Sequence, residues 1–165
     1  MKKREDKPAA LDHVLYEIEM LTKALLALRW TRSDRSDDNA WLESFAIHAR
    51  NLNEFFGDDE KPKSFMRANH FVEWTYTRIF DRNLHRRASA QVAHLTYDRD
   101  CGAEKSPWPV ADIFSGLQTQ SQTFLKAVAA NPALMAHRSN RSRTEYLLHF
   151  LPKIYASEQS VIVAS

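Results

Sequence analysis

The sequence contains little glycine, and this scarcity excludes several kinds of protein. Only 3 of the 165 residues are glycine, at positions 57, 102 and 116, against a usual share of about 7%. A dinucleotide-binding G-x-G-x-x-G motif or a P-loop needs clustered glycines to approach a phosphate, and the sequence has no such cluster. A turn-rich β-sandwich is disfavoured for the same reason. Few glycines and long amphipathic stretches together favour an all-α fold.

Cysteine and long apolar runs are equally scarce. Cys101 is the only cysteine, so an intrachain disulfide and a cysteine-rich zinc site are both excluded. The basic residues 1–4 resemble the start of a signal peptide, but charged side chains such as Asp12 and Glu17 interrupt the apolar core that should follow. No run approaches the 18 or so apolar residues of a membrane span. We therefore expect a soluble cytoplasmic protein without membrane association.

The charge balance by itself does not identify a partner. The net charge is only +2, too small to indicate a nucleic-acid-binding protein. The sequence has 14 Arg and 9 Lys, and arginine is both the better bidentate phosphate ligand and the better salt-bridge former. Composition alone therefore does not distinguish arginines that bind phosphate from arginines that form salt bridges.

Apolar residues recur at three- and four-residue steps, which predicts helices. We expect one domain over residues 1–165, with a flexible N-terminus at 1–8 and a tail at 156–165. The fold class is all-α, an up-and-down bundle of four to six helices. The predicted helices cover about 9–30, 40–56, 80–97, 109–130 and 144–155, with one or two short helices in 64–79. Gly57 is expected as a left-handed C-terminal cap, and residues 160–165 as a docked tail or an edge strand.

The second predicted helix carries polar side chains among core positions. Glu43, His48, Arg50 and Asn51 are the members of this group. One interpretation is a buried polar network that ties helices together. A metal site is disfavoured, because His48 has no carboxylate or second histidine three or four positions later. We expect no metal and no cofactor.

Arginine and histidine share a face in the next long predicted helix. Arg87 and His94 are seven positions apart, about −20° in helical projection. A histidine can move the proton of a ribose 2′-hydroxyl and an arginine can neutralise an attacked phosphate, so the pair suits metal-independent RNA cleavage. Nearby Arg82, Arg86 and Arg99 are candidate RNA or phosphate ligands. The alternative is that His94 only forms structural hydrogen bonds.

The spacing itself is not diagnostic. An arginine followed by a histidine after four to six intervening residues occurs three times, as Arg78/His85, Arg87/His94 and Arg143/His149. Random placement would give about two such pairs. The surrounding arginines favour Arg87/His94 as the catalytic pair.

Two segments resemble a known family. Residues 43–52, ESFAIHARNL, and 93–99, AHLTYDR, are together similar to a group of bacterial helical proteins related to the HEPN superfamily, including its abortive-infection branch. The similarity extends as a pattern over residues 11–130. It implies a helical bundle, frequent homodimerisation and, in many members, ribonuclease activity in toxin or phage-defence systems. The catalytic pattern of that family falls here on Arg87 and His94.

Two functions follow as expectations. The first is a metal-independent endoribonuclease, with RNA as substrate and an antitoxin or other protein as a partner. The second is a non-catalytic helical interaction or RNA-binding module. A homodimer is expected in either case, because Phe65, Phe71, Trp74 and Tyr76 crowd one short region, and an exposed aromatic surface often marks an interface.

Overall fold

The computed structural model describes residues 7–30, 35–57, 65–88 and 108–162. Those residues form six α-helices and no β-strand, which confirms the predicted all-α class. The helices are α1 (Lys7–Trp30), α2 (Arg35–Gly57), α3 (Arg82–Arg87), α4 (Val110–Ala129), α5 (Pro132–Met135) and α6 (Arg138–Ile162). None of the helices in these ranges is long and apolar enough to cross a membrane.

Helices α1 and α2 form the main helical hairpin. Only four residues separate them in the sequence, and Glu17 of α1 bonds His48 and Asn51 of α2, which is the pairing of antiparallel neighbours. The predicted apolar stripes meet between them. The fully buried members include Leu11, Leu15 and Ile18 of α1 and Phe45, Leu52 and Phe56 of α2.

Helices α4 and α6 complete the core. Asn131 accepts hydrogen bonds from the N–H groups of Ala133 and Leu134 and thereby caps the short α5 that Pro132 begins. The predicted end of α4 at the Asn131-Pro132 pair is confirmed. Helix α6 begins earlier than predicted, at Arg138, and continues to Ile162. The expected tail is therefore helical as far as residue 162, and residues 163–165 lie outside the described chain.

The stretch between α2 and α3 differs from its prediction. One or two helices were expected at 64–79, but the described part has a single 3₁₀ turn, Ala68–His70, followed by irregular chain. Residues 73–79, which we call the strap, lie against the C-terminal end of α2. The side-chain oxygen of Asn53 accepts the N–H groups of Ile79 at 2.9 Å and of Phe80 at 2.8 Å. Tertiary hydrogen bonds thus replace local helix formation here.

Gly57 has a different role from the one predicted. The described chain has no positive-φ glycine, so the expected left-handed cap is wrong. A Cβ added at Gly57 would lie 2.8 Å from the Cα of Arg78 and 3.1 Å from the carbonyl oxygen of Thr77. The glycine is required because the strap passes directly against it.

The aromatic cluster is mostly internal, which corrects the basis of the homodimer prediction. Phe71 is buried, and the Trp74 ring packs against Phe56 and donates its N–H to the Phe56 carbonyl at 3.0 Å. Tyr76 is half-buried. Of the four aromatic residues, only Phe65 is exposed, at 45%. Phe71 and Trp74 pack into the core because their rings contact the ring of Phe124 on α4.

The helix predicted at 80–97 is described only in part. Asp81 caps its start by accepting the N–H of Leu84 at 2.7 Å, and α3 runs from Arg82 to Arg87. Residues 89–107 lie outside the described chain. The expected continuation therefore stays a prediction.

An ion-pair network joins α6 to α1. Arg143 donates to Asp12 at 2.7 Å and to Glu19 at 2.9 Å. Asp12 and Glu19 are seven positions apart and therefore share one face of α1. Glu19 also pairs with Lys23 at 2.6 Å. The arginine-rich stretch at 137–143 thus serves helix packing in part.

Replacing Gly57 with alanine should destabilise the fold. The added methyl group meets backbone atoms of the strap, which cannot move without breaking the Asn53 hydrogen bonds, and overpacking of this kind costs about 1–3 kcal/mol. Gly116→Ala is the comparison, because the atoms nearest to its Cβ belong to the side chain of Ile79, which can shift, rather than to the backbone of the strap. Urea denaturation should give a larger loss for Gly57→Ala than for Gly116→Ala. Equal losses would show that the backbone of the strap at Thr77 and Arg78 yields as readily as the side chain of Ile79.

Glu19 should make the stability depend on pH. Hydrogen bonds from Lys23, the larger effect, and from Arg143 hold the pKa of the Glu19 carboxyl below its ordinary value of 4.5. Because the folded state has the lower pKa, this stabilisation is complete above about pH 4.5 and is lost as the pH falls through the folded-state value. Glu19→Gln should therefore flatten the decline in unfolding free energy between about pH 5 and pH 3. An unchanged decline in urea titrations would contradict this assignment.

Candidate functional site

A cleft with acid–base and cationic groups lies where the strap enters α3. Its volume is about 170 Å³. We call it the His85 cleft; its lining residues are Asn53, Glu54, Arg78, Phe80, Asp81, Arg82 and His85. The lining residues come from α2, the strap and α3, and the hydrogen bonds between the strap and Asn53 bring these elements together.

The histidine of this cleft has a fixed partner. Nε2 of His85 lies 2.9 Å from Oε1 of Glu54, between half-buried side chains. A carboxylate only accepts hydrogen bonds, so Nε2 carries a proton, and Nδ1 is the basic nitrogen whenever the ring is neutral. Within the described chain Nδ1 has no hydrogen-bond partner. The contact leaves one ring nitrogen available for proton transfer.

Two arginines flank this histidine. Arg78 and Arg82 are exposed and form no ion pair with another residue in the described ranges. Asp81 also lines the cleft, but its carboxylate accepts the N–H of Leu84 as the α3 cap. Arg78 and His85, one of the three arginine–histidine pairs with this spacing in the sequence, therefore line a single cleft.

The polar group predicted on α2 divides between two partners. His48 Nδ1 and Asn51 Nδ2 both donate to Oε2 of Glu17, at 2.7 and 3.2 Å. Arg50 instead faces Glu54, with 4.0 Å between Nε and Oε1. Glu43 is exposed and neither of the bonds to Glu17 involves it. A helix-tying role stays a prediction for His48 and Asn51, with Glu17 of α1 as their partner, whereas the contact of Arg50 with Glu54 lies within α2.

Sequence reasoning missed Glu17 as a partner, although a signal was present. Glu17 lies between Val14, Ile18 and Leu21 on the apolar stripe of α1, where a charged side chain needs a partner. The sequence marks His85 only through its spacing from Arg78, because a contact with Glu54, 31 residues away, leaves no local pattern.

A second cleft adjoins the first. We call it the Phe65 cleft; it has a volume of about 260 Å³ and is lined by His13, Val14, Glu17, Arg50, Asn51, Leu52, Glu54, Phe55, Phe65, Met66 and Arg67. Glu54 lines both clefts. The two clefts therefore adjoin at Glu54.

The predicted catalytic pair is described only at Arg87. Its guanidinium lies over the Trp108 ring, 4.8 Å from the centroid, a cation–π contact that holds α3 against the start of α4. Arg86 is exposed on α3 and does not line the His85 cleft. His94 and Arg99 lie outside the described residues, so their predicted roles stay predictions. Across the described ranges, no group of three or more His, Cys, Asp or Glu residues is placed to hold a metal.

Comparison with known proteins gave no relatives: no family model, no curated protein and no solved structure matches this chain.

The contact between Glu17 and His48 should be energetically coupled. Removing one partner leaves the other half-buried and unsatisfied, at about 1–3 kcal/mol. A double-mutant cycle with Glu17→Ala and His48→Ala should therefore give an interaction energy of about 0.5–3 kcal/mol. Glu43→Ala is the matched control on α2. Additive losses for Glu17 and His48 would contradict the helix-tying role.

Proposed function

We propose that this chain is a metal-independent endoribonuclease of the HEPN-like kind, acting in the cytoplasm, and that the His85 cleft holds the phosphate to be cleaved. The observation that carries the proposal is that Arg78, Arg82 and His85 line one cleft, with His85 oriented by Glu54. A proton-transfer group and two cations are what cleavage of a phosphodiester by its own 2′-hydroxyl requires.

The chemistry follows from the protonation of His85. Nδ1 takes the proton of the ribose 2′-hydroxyl while O2′ forms a bond to phosphorus. The bond between phosphorus and O5′ breaks, and O5′ takes a proton from water. The products are a 2′,3′-cyclic phosphate and a 5′-hydroxyl, and His85 returns its proton to solvent. Glu54 stabilises the imidazolium that forms, because its carboxylate already accepts the Nε2 proton.

The arginines supply the electrostatic part of the mechanism. Phosphorane-like oxygens carry more negative charge than the ground-state phosphate, so guanidinium donors on either side stabilise the transition state more than the substrate. Arg78 and Arg82 form no ion pair with a described residue, so a phosphate in the cleft displaces no partner from that part of the chain.

The remaining expectations belong to this proposal. A homodimer, an antitoxin partner and a toxin or phage-defence role rest on the family resemblance alone. Arg87 and His94 are the alternative catalytic pair. A non-catalytic interaction or RNA-binding module is the alternative function, favoured by the engagement of both His48 and His85 by carboxylates of neighbouring helices.

Incubation of the purified chain with mixed RNA tests the proposal. The parent protein should generate fragments with 2′,3′-cyclic phosphate ends in the presence of EDTA. His85→Ala should lower the rate about 10²–10⁴-fold, and Arg78→Ala about 10²–10³-fold, because each removes transition-state stabilisation.

His149→Ala is the matched control. His149 belongs to the third arginine–histidine pair, but Arg143 is already bound to Asp12 and Glu19, so the rate should not change. Loss of activity in His94→Ala with full activity in His85→Ala would assign catalysis to the pair predicted from the sequence. Absence of cleavage by the parent protein would leave the non-catalytic function.

A further inference from the structure

The Phe65 cleft combines an apolar floor with a polar edge. Val14, Leu52 and Phe55 are buried beneath it, and the exposed Phe65 lies at its opening. A volume of about 260 Å³ lies just below the range of about 300–1,000 Å³ typical of sites for drug-sized ligands. The cleft therefore suits a single flat ring system, which the Phe65 side chain can stack upon.

The polar edge presents hydrogen-bond acceptors. Asn51 and His48 both donate to Oε2 of Glu17, which fixes the amide of Asn51 with its nitrogen toward the carboxylate. Oε1 of Glu17 and Oδ1 of Asn51 accept no hydrogen bond from any described residue. Glu17 and Asn51 are hydrogen-bonded to each other and both line the cleft, so two side chains that each carry a remaining acceptor adjoin at its edge.

Two neighbouring acceptors select among the nucleobases. Guanine carries adjacent donors on its Watson–Crick edge, the N1–H and the N2 amino group. Adenine, cytosine and uracil have no two adjacent donors on that edge, so each would place at least one acceptor against an acceptor of the cleft. Arg50 and Arg67 also line the cleft, and an arginine guanidinium is a donor suited to the guanine O6.

We infer that the Phe65 cleft binds a guanine base of the RNA. The base stacks on Phe65, and its N1–H and N2 amino group donate to Glu17 and Asn51. The inference rests on the proposed function, because Glu54 lines both clefts and thereby places the base next to the phosphate held by Arg78 and Arg82.

Binding of three purine monophosphates tests this directly. GMP, IMP and AMP share sugar and phosphate, so any difference between them reports the base. Calorimetric titration of the full chain should give GMP at least about tenfold tighter than AMP, as expected for one good pair of base contacts. IMP keeps N1–H but lacks the N2 amino group and should bind with intermediate affinity.

Two substitutions separate stacking from edge recognition. Phe65→Ala should weaken all three nucleotides equally, whereas Tyr146→Ala, which removes an equally exposed aromatic ring from α6 (50% exposed), should change nothing. Glu17→Gln keeps an acceptor for His48 and Asn51 but places an N–H₂ donor where Oε1 was. This variant should abolish the preference for GMP over AMP. Circular dichroism confirms that each variant is folded.

The outcomes are distinct from those of the cleavage assay. Equal binding of GMP and AMP, or a GMP affinity that neither Phe65→Ala nor Glu17→Gln changes, would overturn the guanine site. RNA cleavage without a guanine preference would also overturn it and leave the ribonuclease proposal standing. A guanine preference in a chain that does not cleave RNA would support the site and contradict the ribonuclease.

Discussion

The docking of residues 73–79 on the C-terminal end of α2 is the contact on which the candidate site depends. One side-chain oxygen of Asn53 accepts two backbone N–H groups, and Gly57 lets the backbone at Arg78 approach closely. Both residues belong to α2 and lie within one helical turn of Glu54. The contact that fixes the strap therefore also sets the positions of Arg78 and His85 relative to the Glu54 carboxylate, which orients His85.

Glu54 links the chemistry of the two clefts. Its carboxylate is within reach of His85 at 2.9 Å and of Arg50 at 4.0 Å. In the proposed mechanism His85 gains a proton, and the negative charge of Glu54 would stabilise the resulting imidazolium. In the proposed mechanism, proton transfer takes place in the His85 cleft and base recognition in the Phe65 cleft, and Glu54 lines both.

The sequence predicts the helices well where apolar periodicity is long, as over residues 9–30 and 109–130, because packing of a continuous stripe dictates both pattern and structure. It fails at 64–79, where Phe71 and Trp74 pack around Phe124 and where backbone groups bond to Asn53 rather than to one another. The candidate site also depends on contacts between residues that are distant in sequence. His85 contacts Glu54, and Glu17 contacts His48, and the two residues of each contact are 31 positions apart. The residue pattern within one helix can therefore point to one member of each contact but not to its partner.

The most direct test of the account is a crystal structure of the chain with a dinucleotide whose 2′-hydroxyl is absent, 2′-deoxy-GpU, which binds but cannot be cleaved. The account predicts the phosphate within hydrogen-bond distance of Arg78 and Arg82, the deoxyribose C2′ facing Nδ1 of His85, and the guanine stacked on Phe65. A phosphate bound beside Arg87 and His94, with both clefts empty, would contradict it.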